Sequence, residues 1–386
     1  MINRTVSTFR LMYIRSLFFM LCAVLSSSSV CAAEPVLSLA FGAGYTMIVM
    51  ADGSLWGWGN NAHGELGDGT TINRQQPVFI ANGYKQIVAA GASSLGVKSD
   101  GTLWMWGQED DRGDNSALAI HTRPVLLISN ISMVAMGTWE NIAVDNDGAL
   151  FGWGGWQADC GLAPSVEDLS QNRQFFAPTK LNTGPGYKYV TVGTNYTIGL
   201  KSDGTIWSWG VNANGELGRS DQSAGDNPFE CFPVRKIGDG FISVSTQTFM
   251  GGATLAIKED SSLWGWGDGG FYELMDARSP LRKPKLLGKG YAKIVFGGLR
   301  VFAVKTDGTL WAWGENQTGY LGDGTRKTRS HPVKIGDDYV DVYAGYASAV
   351  AIKKDGSIWT WGENEKGELG DGTAVNRLTP IKIMIK

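Results

Sequence analysis

Apolar and polar positions alternate in short runs along this chain, and one run returns seven times. In Leu55-Trp56-Gly57-Trp58-Gly59 the two Trp residues are two apart and share a sheet face, while Leu55, Gly57 and Gly59 take the other. An Asp-Gly pair stands just before it, a hairpin signal because Gly accepts positive φ without a steric penalty. Upstream of each turn lies an apolar strand, such as MIVMA before Asp52, LGVKS before Asp100 or TIGLK before Asp203. Another lies further upstream, ending at Gly91 or Gly193, and a Pro-led strand follows downstream from Pro77, Pro124, Pro233, Pro332 and Pro380. Each repeat therefore predicts four antiparallel strands.

The seven turns begin at Asp52, Asp100, Asp147, Asp203, Asp260, Asp307 and Asp355, spaced 48, 47, 56, 57, 47 and 48 residues apart. A period of this size, with strands and turns but no helical pattern, marks a β-propeller or a solenoid. The expectation is an all-β, seven-bladed β-propeller of four-stranded antiparallel blades. Only two strands are visible before Asp52, and a Pro-led strand, Pro380–Lys386, follows the last turn. The pattern thus predicts a ring closed by the C-terminal strand pairing into the first blade. Thirteen of the 15 Trp residues sit in the repeated run, and only Trp139 and Trp156 lie outside it. Such regular spacing makes them core between stacked blades.

Residues 1–33 read as a secretory signal peptide: Arg4, Arg10 and Arg15, then the apolar run Leu17–Leu25, then small residues up to Ala33. Cleavage and retention as an anchor are both open, although the apolar run is short for a span. Residues 34–386 form the single propeller, exported to the periplasm or the medium, with no integral membrane segment after cleavage. Without the three leader Arg residues, 31 basic side chains face 37 acidic ones, a net charge near −6. That argues against a nucleic-acid partner, which needs a basic face. Cleavage would leave Cys160 and Cys231, each in an insertion that lengthens its repeat. A disulfide between them and two buried free thiols are both open readings.

Strand parity places the Asp-Gly turns and the inter-blade connections at one end of the ring, called here the turn end. The other two loops of each blade share the opposite, loop end. Turn-end sequences are monotonous, whereas the loop end varies. Seven residues before each Asp stand Tyr45, Ser93, Glu140, Tyr196, Ala253, Arg300 and Ser348, with Trp139, Asn195, Leu299 and Tyr346 close by. Aromatic residues and Arg in such a ring suit partner binding, so Tyr45, Trp139, Glu140, Asn195, Tyr196, Arg300 and Tyr346 are the candidate partner-binding residues. The insertions near 157–177 and 212–231 rise from the same end. The second loop there carries HGELGDGT from His63, TGYLGDGT from Thr318 and KGELGDGT from Lys366, with only NGELG from Asn214. Its Glu65, Asp68, Asp323, Glu368 and Asp371 admit a cation-binding reading, but repetition with so much Gly favours a structural role.

These repeats resemble the regulator of chromosome condensation family, whose unit reads roughly GxxH followed by DGxLWxWGxNxxGQLGxG. The resemblance covers nearly all of residues 34–386 and is sharpest in the first, fourth, sixth and seventh repeats. It implies a seven-bladed, protein-binding propeller; the eukaryotic founder acts on the small GTPase Ran and binds chromatin, and a secreted bacterial β-lactamase inhibitor is among the relatives. The family's His in GxxH is absent from all seven repeats here. With an export leader and an acidic chain, this points away from nucleotide exchange on Ran and toward the extracellular binders.

Catalysis has little to stand on. His63, His121 and His331 are the only histidines and are far apart in sequence, and no HExxH, GxSxG or phosphate-loop pattern is present. No catalytic residue, cofactor or metal is expected. Another protein is the expected partner, and a glycan or cell-wall polymer stacked on exposed aromatics is the alternative, ahead of a lyase or glycosidase built on the same fold.

Overall fold

The computed structural model describes residues 36–108, 119–137, 140–154, 175–221, 230–248, 252–268 and 280–385. The leader, Trp139, Trp156 and Cys160 lie outside the described residues.

Each repeat folds into its own four-stranded antiparallel sheet with the strands in chain order. Blade one consists of Val36–Gly42, Tyr45–Met50, Leu55–Gly59 and Arg74–Ala81, and blade seven of Tyr339–Ala344, Ser348–Lys353, Ile358–Gly362 and Arg377–Ile383. First strands of successive blades pack side by side around the ring, and that of blade seven packs on that of blade one. The result is an all-β ring of seven blades.

Closure differs from the expectation. The C-terminal strand does not pair into blade one: Arg377–Ile383 pairs with Ile358–Gly362 of its own blade, Ile381 opposite Thr360 and Arg377 opposite Gly362. Blade one owns its Pro-led strand, Arg74–Ala81, so no strand position is left to fill. Each fourth strand is the next strand in the chain after the third, and antiparallel pairing with that neighbour is the local solution. The ring is closed by side-chain packing instead. Leu39, Ile48, Met50 and Trp58 of blade one form one buried cluster with Val350, Ile352, Ile358 and Ile383 of blade seven.

The same arrangement fills every interface. The second Trp of each run is buried against the preceding blade: Trp106 among Tyr45, Met47 and Leu66, Trp266 among Tyr196, Ile198 and Leu217, Trp361 among Phe302, Leu310 and Leu321. The first Trp is half-buried and anchored locally. Its Nε1 donates to a Ser or Thr hydroxyl two residues earlier, as in Trp104 to Thr102 (2.8 Å) and Trp311 to Thr309 (2.7 Å). That hydroxyl in turn donates to the turn Asp, at 2.6 Å for both Asp100 and Asp307. At this turn end the chain stitches blade to blade: Tyr84 N donates to Gly53 O, Ile131 N to Gly101 O and Tyr339 N to Gly308 O, at 2.8–3.0 Å.

In blades one, four, six and seven one glycine is required by close approach. Gly59 sits at φ +102, and a Cβ there would lie 2.5 Å from the Gly44 carbonyl; Gly210, Gly314 and Gly362 repeat this against the Asn195, Leu299 and Ala347 carbonyls. The third strand leaves the sheet under the first loop of its own blade, and only Gly fits.

Candidate functional site

The loop end is built from two loops per blade. In the longer one a buried Asn holds the turn together. Asn61, Asn316 and Asn364 are fully buried and each accepts from a Leu amide five residues on, at 2.9–3.0 Å. Their side-chain Nδ2 groups donate into the loop, Asn61 to Asp68, Asn316 to Asp323 and Asn364 to Asp371 among others. Each of these aspartates also binds a Thr hydroxyl two residues on and an Arg six residues on: Arg74, Arg329 and Arg377. Burial raises the carboxyl pKa of Asp371, but the Thr373 and Arg377 hydrogen bonds outweigh it and hold the group below its usual range. These carboxylates are occupied by the loop itself, which accounts for them structurally. Among the described residues, no group of three or more His, Cys, Asp or Glu could hold a metal ion.

The backbone of this loop also grips the next blade. The Glu65 carbonyl accepts from Trp106 Nε1 and Ser94 Oγ of blade two. The Glu368 carbonyl of blade seven accepts from Trp58 Nε1 and Thr46 Oγ1 of blade one.

The expected partner-binding residues divide. Tyr45, Glu140, Tyr196 and Arg300 each begin the second strand of a blade at the loop end. Their side chains, however, turn into the ring rather than toward solvent. The Tyr45 hydroxyl donates to the Ser93 carbonyl at 2.6 Å, the Tyr196 hydroxyl to the Ala253 carbonyl at 2.8 Å, and Glu140 Oε1 accepts from Thr197 Oγ1 at 3.1 Å. Each is a tie to the neighbouring blade. The physical reason is that the second strand is buried on both faces: Tyr45 lies with Met47 and Val49, and Thr46 and Ile48 on the opposite face are equally buried. Asn195 is half-buried, and its carbonyl receives the Val211 amide. Tyr346 is 60% exposed. Trp139 and Cys160 lie outside the described residues, while Cys231 is disulfide-bonded at the start of its strand.

Around Tyr346 the loop end of blades six and seven gathers into one patch. Arg300 lies beneath it, 4% exposed. Its Nε donates to the Gly297 carbonyl at 3.2 Å, its Nη2 to the Tyr346 carbonyl, and its Nη1 meets Glu315 Oε2 at 3.4 Å. The guanidinium stands 5.3 Å from the centre of the Tyr320 ring. Glu363 extends from the strand end beside Tyr346, its amide donating to the Ala347 carbonyl at 2.9 Å. Burial and then the Glu365 carboxylate raise the Glu363 pKa, against the pull of Arg300. Burial, then Glu363 and Glu365, likewise raise the Tyr320 hydroxyl. Arg300 and Lys366 only partly offset the carboxylates of Glu315, Glu363 and Glu365. The patch presents an exposed Tyr346 beside several carboxylates, over a buried cation that fixes the Tyr346 loop.

Sequence reading reached Arg300 and Tyr346 but missed Glu315, Tyr320, Glu363 and Glu365. A signal was present: only the sixth and seventh repeats read WGEN, where the first reads WGNN and the fourth WGVN. The Lys residues ending the second strands were also missed. Lys98, Lys201, Lys305 and Lys353 each lie over a Trp and a Tyr of their own blade, at 4.2–5.5 Å from the ring centres, and stiffen the turn end.

Profiles of the Regulator of chromosome condensation (RCC1) repeat match residues 52–95, 307–352 and 355–386, and a second profile of that repeat matches 36–65 and 339–368. This chain carries regulator of chromosome condensation repeats. It is 29% identical over 253 residues to the Arabidopsis thaliana "RCC1 domain-containing protein RUG3, mitochondrial", covering 61% of this chain and 54% of that protein. It is 26% identical over 308 residues to human "E3 ubiquitin-protein ligase HERC2", covering 74% of this chain but 6% of the ligase. The chain thus spans about half the length, or far less, of these curated relatives. Among solved structures, Prp20p of Saccharomyces cerevisiae superposes with a TM-score of 0.65 at 20% identity, over 80% of each chain. Human WBSCR16 superposes at 0.53 and 18% identity, over 91% of this chain and 82% of that one. Both likenesses speak for the fold.

Proposed function

We propose that this condensation-regulator-type propeller is an exported protein-interaction module that binds a basic partner segment on the loop end of blades six and seven. One observation carries the reading: exposed Tyr346 is held through its carbonyl by Arg300, whose guanidinium also faces Tyr320 and Glu315, with the carboxylates of Glu363 and Glu365 close by. An exposed aromatic beside carboxylates favours Lys- and Arg-rich segments through charge and cation–π contact. Binding of Gsp1p and histones is named for Prp20p, which shares the fold, and lends support to a binding role. The periplasm or the medium is the proposed compartment, on the strength of the leader-like residues 1–33. A Cys160–Cys231 disulfide belongs to the same proposal, supported by the bonded state of Cys231.

The test is affinity capture on the immobilised chain, with wild type beside Tyr346→Ala and the Glu363→Gln/Glu365→Gln pair. Partners held by wild type, released by raised salt and lost from both variants at unchanged melting temperature are expected. Retention of the same partners by both variants, or of a neutral glycan alone, would overturn the reading.

A further inference from the structure

A second feature lies between blades four and five, running from the long loop of blade four toward the second strand of blade five. A cavity of about 440 Å³ opens there, lined by Arg219, Lys236, Phe241, Lys258, Trp264 and Lys283 among others. Its size falls within the range of small-ligand sites. Four of these six side chains are cations.

Its origin is a local break in the repeat. Blades one, six and seven carry Gly-Asp-Gly-Thr in the long loop, and the Asp is held by an Arg of the fourth strand. Blade four reads Gly218-Arg219-Ser220-Asp221 instead, so a cation replaces the carboxylate. Arg219 is 9% exposed and only partly satisfied. Its Nη2 donates to the Pro233 carbonyl at 2.8 Å. Its Nε lies 3.0 Å from Asp221 Oδ2, a charge contact without hydrogen-bond alignment, and Nη1 has no hydrogen-bond partner. Asp221 is itself shared with Arg235 at 3.4 Å. A buried guanidinium edge without a partner is costly, and burial pulls its pKa down to about 10 against the Asp221 charge.

The other cations leave the centre open. Lys258 lies over the Phe241 and Trp264 rings at 4.7 and 4.9 Å, and Lys236 pairs outward with Asp239. Lys283 is exposed at the rim.

We propose that this cleft is a binding site for the oxyanion headgroup of a small organic molecule, a carboxylate or a phosphate ester. Arg219 Nη1 takes one anion oxygen, Lys283 and Lys258 neutralise the remaining charge, and the Phe241 and Trp264 rings contact the molecule's carbon frame.

Isothermal titration of the folded chain with glucuronate, glucose 6-phosphate, inorganic phosphate and glucose tests this. Glucuronate separates a carboxylate source from a phosphate source, and glucose is the neutral control. The expected result is saturable binding of at least one anion and none of glucose. Arg219→Gln should weaken that binding by roughly tenfold or more, and so should Lys283→Gln, each removing one charge-assisted contact. Lys283 lies on the surface, so its variant keeps the test sound if Arg219→Gln fails to fold. Absence of binding by every anion to folded wild type would overturn the proposal. Anion binding unchanged in Lys283→Gln and in folded Arg219→Gln would overturn it equally.

Discussion

Within the join between blades seven and one, one backbone carbonyl receives two side-chain donors. Glu368 O accepts from Trp58 Nε1 at 2.7 Å and from Thr46 Oγ1 at 2.9 Å, both inside the interface. Thr46→Val removes one donor at nearly constant volume and should cost about 1 kcal/mol, the net worth of a neutral hydrogen bond. Trp58→Phe removes the other donor and also part of a buried ring, so about 2–3 kcal/mol is expected from the hydrogen bond, lost area and residual cavity. Either variant alone leaves the carbonyl one partner. The double variant leaves it buried with neither side-chain donor, adding a desolvation penalty of about 1–2 kcal/mol beyond the sum of the single effects. The ring-volume loss is common to both arms of the cycle and cancels. Urea unfolding of the four proteins, followed by far-ultraviolet circular dichroism, gives the coupling directly. The Glu65 carbonyl, with Trp106 Nε1 at 2.8 Å and Ser94 Oγ at 2.9 Å, supplies a replicate between blades one and two through Ser94→Ala and Trp106→Phe. Additivity within about 0.5 kcal/mol at both joints would refute the shared-acceptor reasoning.

Other outcomes follow from the same geometry. Tyr45→Phe should lower stability by about 1 kcal/mol through loss of the bond to the Ser93 carbonyl, while partner capture stays unchanged; lost capture in a folded variant would show the buried ring position to be functional. Tyr346→Ala should leave the melting temperature within a degree or two of wild type, since the side chain is exposed, and a large drop would mean that its ring holds the loop. Gly59→Ala should destabilise severely, because its Cβ meets the Gly44 carbonyl; a melting temperature near that of wild type would show that the strand shifts freely. The Asp68, Asp323 and Asp371 carboxyls titrate below their unfolded values near 3.9. Groups depressed on folding favour the native state above the unfolded pKa and lose that contribution as pH falls through the folded one. Thermal scans between pH 6 and pH 2.5 should therefore show a decline that is smaller in Asp371→Asn, and an equal decline would refute the assignment.

The blades were legible because they repeat: period-2 alternation around Asp-Gly turns yields strands, order and handover points without any long-range knowledge. Trp58 and its six equivalents read correctly as interface core for the same reason. Ring closure was not legible. A Pro-led strand such as Arg377–Ile383 carries the same alternation whether it serves its own blade or another, and only the completed first blade decides. Tyr45 and Tyr196 stand beside variable loops, and alternation along the chain did not show that their strands are buried on both faces. The acidic patch escaped notice since Glu363 and Tyr320 come from different blades and meet only in three dimensions. Arg219 was passed over as a lapsed repeat, although a cation in place of the repeated Asp was itself the clue.

The unexchanged strands also bear on the order of assembly. Each blade is a contiguous stretch of chain, and in blades two and five the Trp docks on a loop completed one repeat earlier: Trp106 and the Glu65 carbonyl are 41 residues apart, Trp266 and the Glu216 carbonyl 50. The ties between blades seven and one are the long ones: Trp58 and the Glu368 carbonyl are 310 residues apart, and Thr46 and the same carbonyl 322. Apart from this one clasp, contacts stay short in sequence, so the blades can accrete from the N-terminal end like beads, each resting on its finished predecessor. Meeting of the first and seventh blades is then the longest loop closure, and the contact pattern predicts an open crescent of stacked blades ahead of the ring.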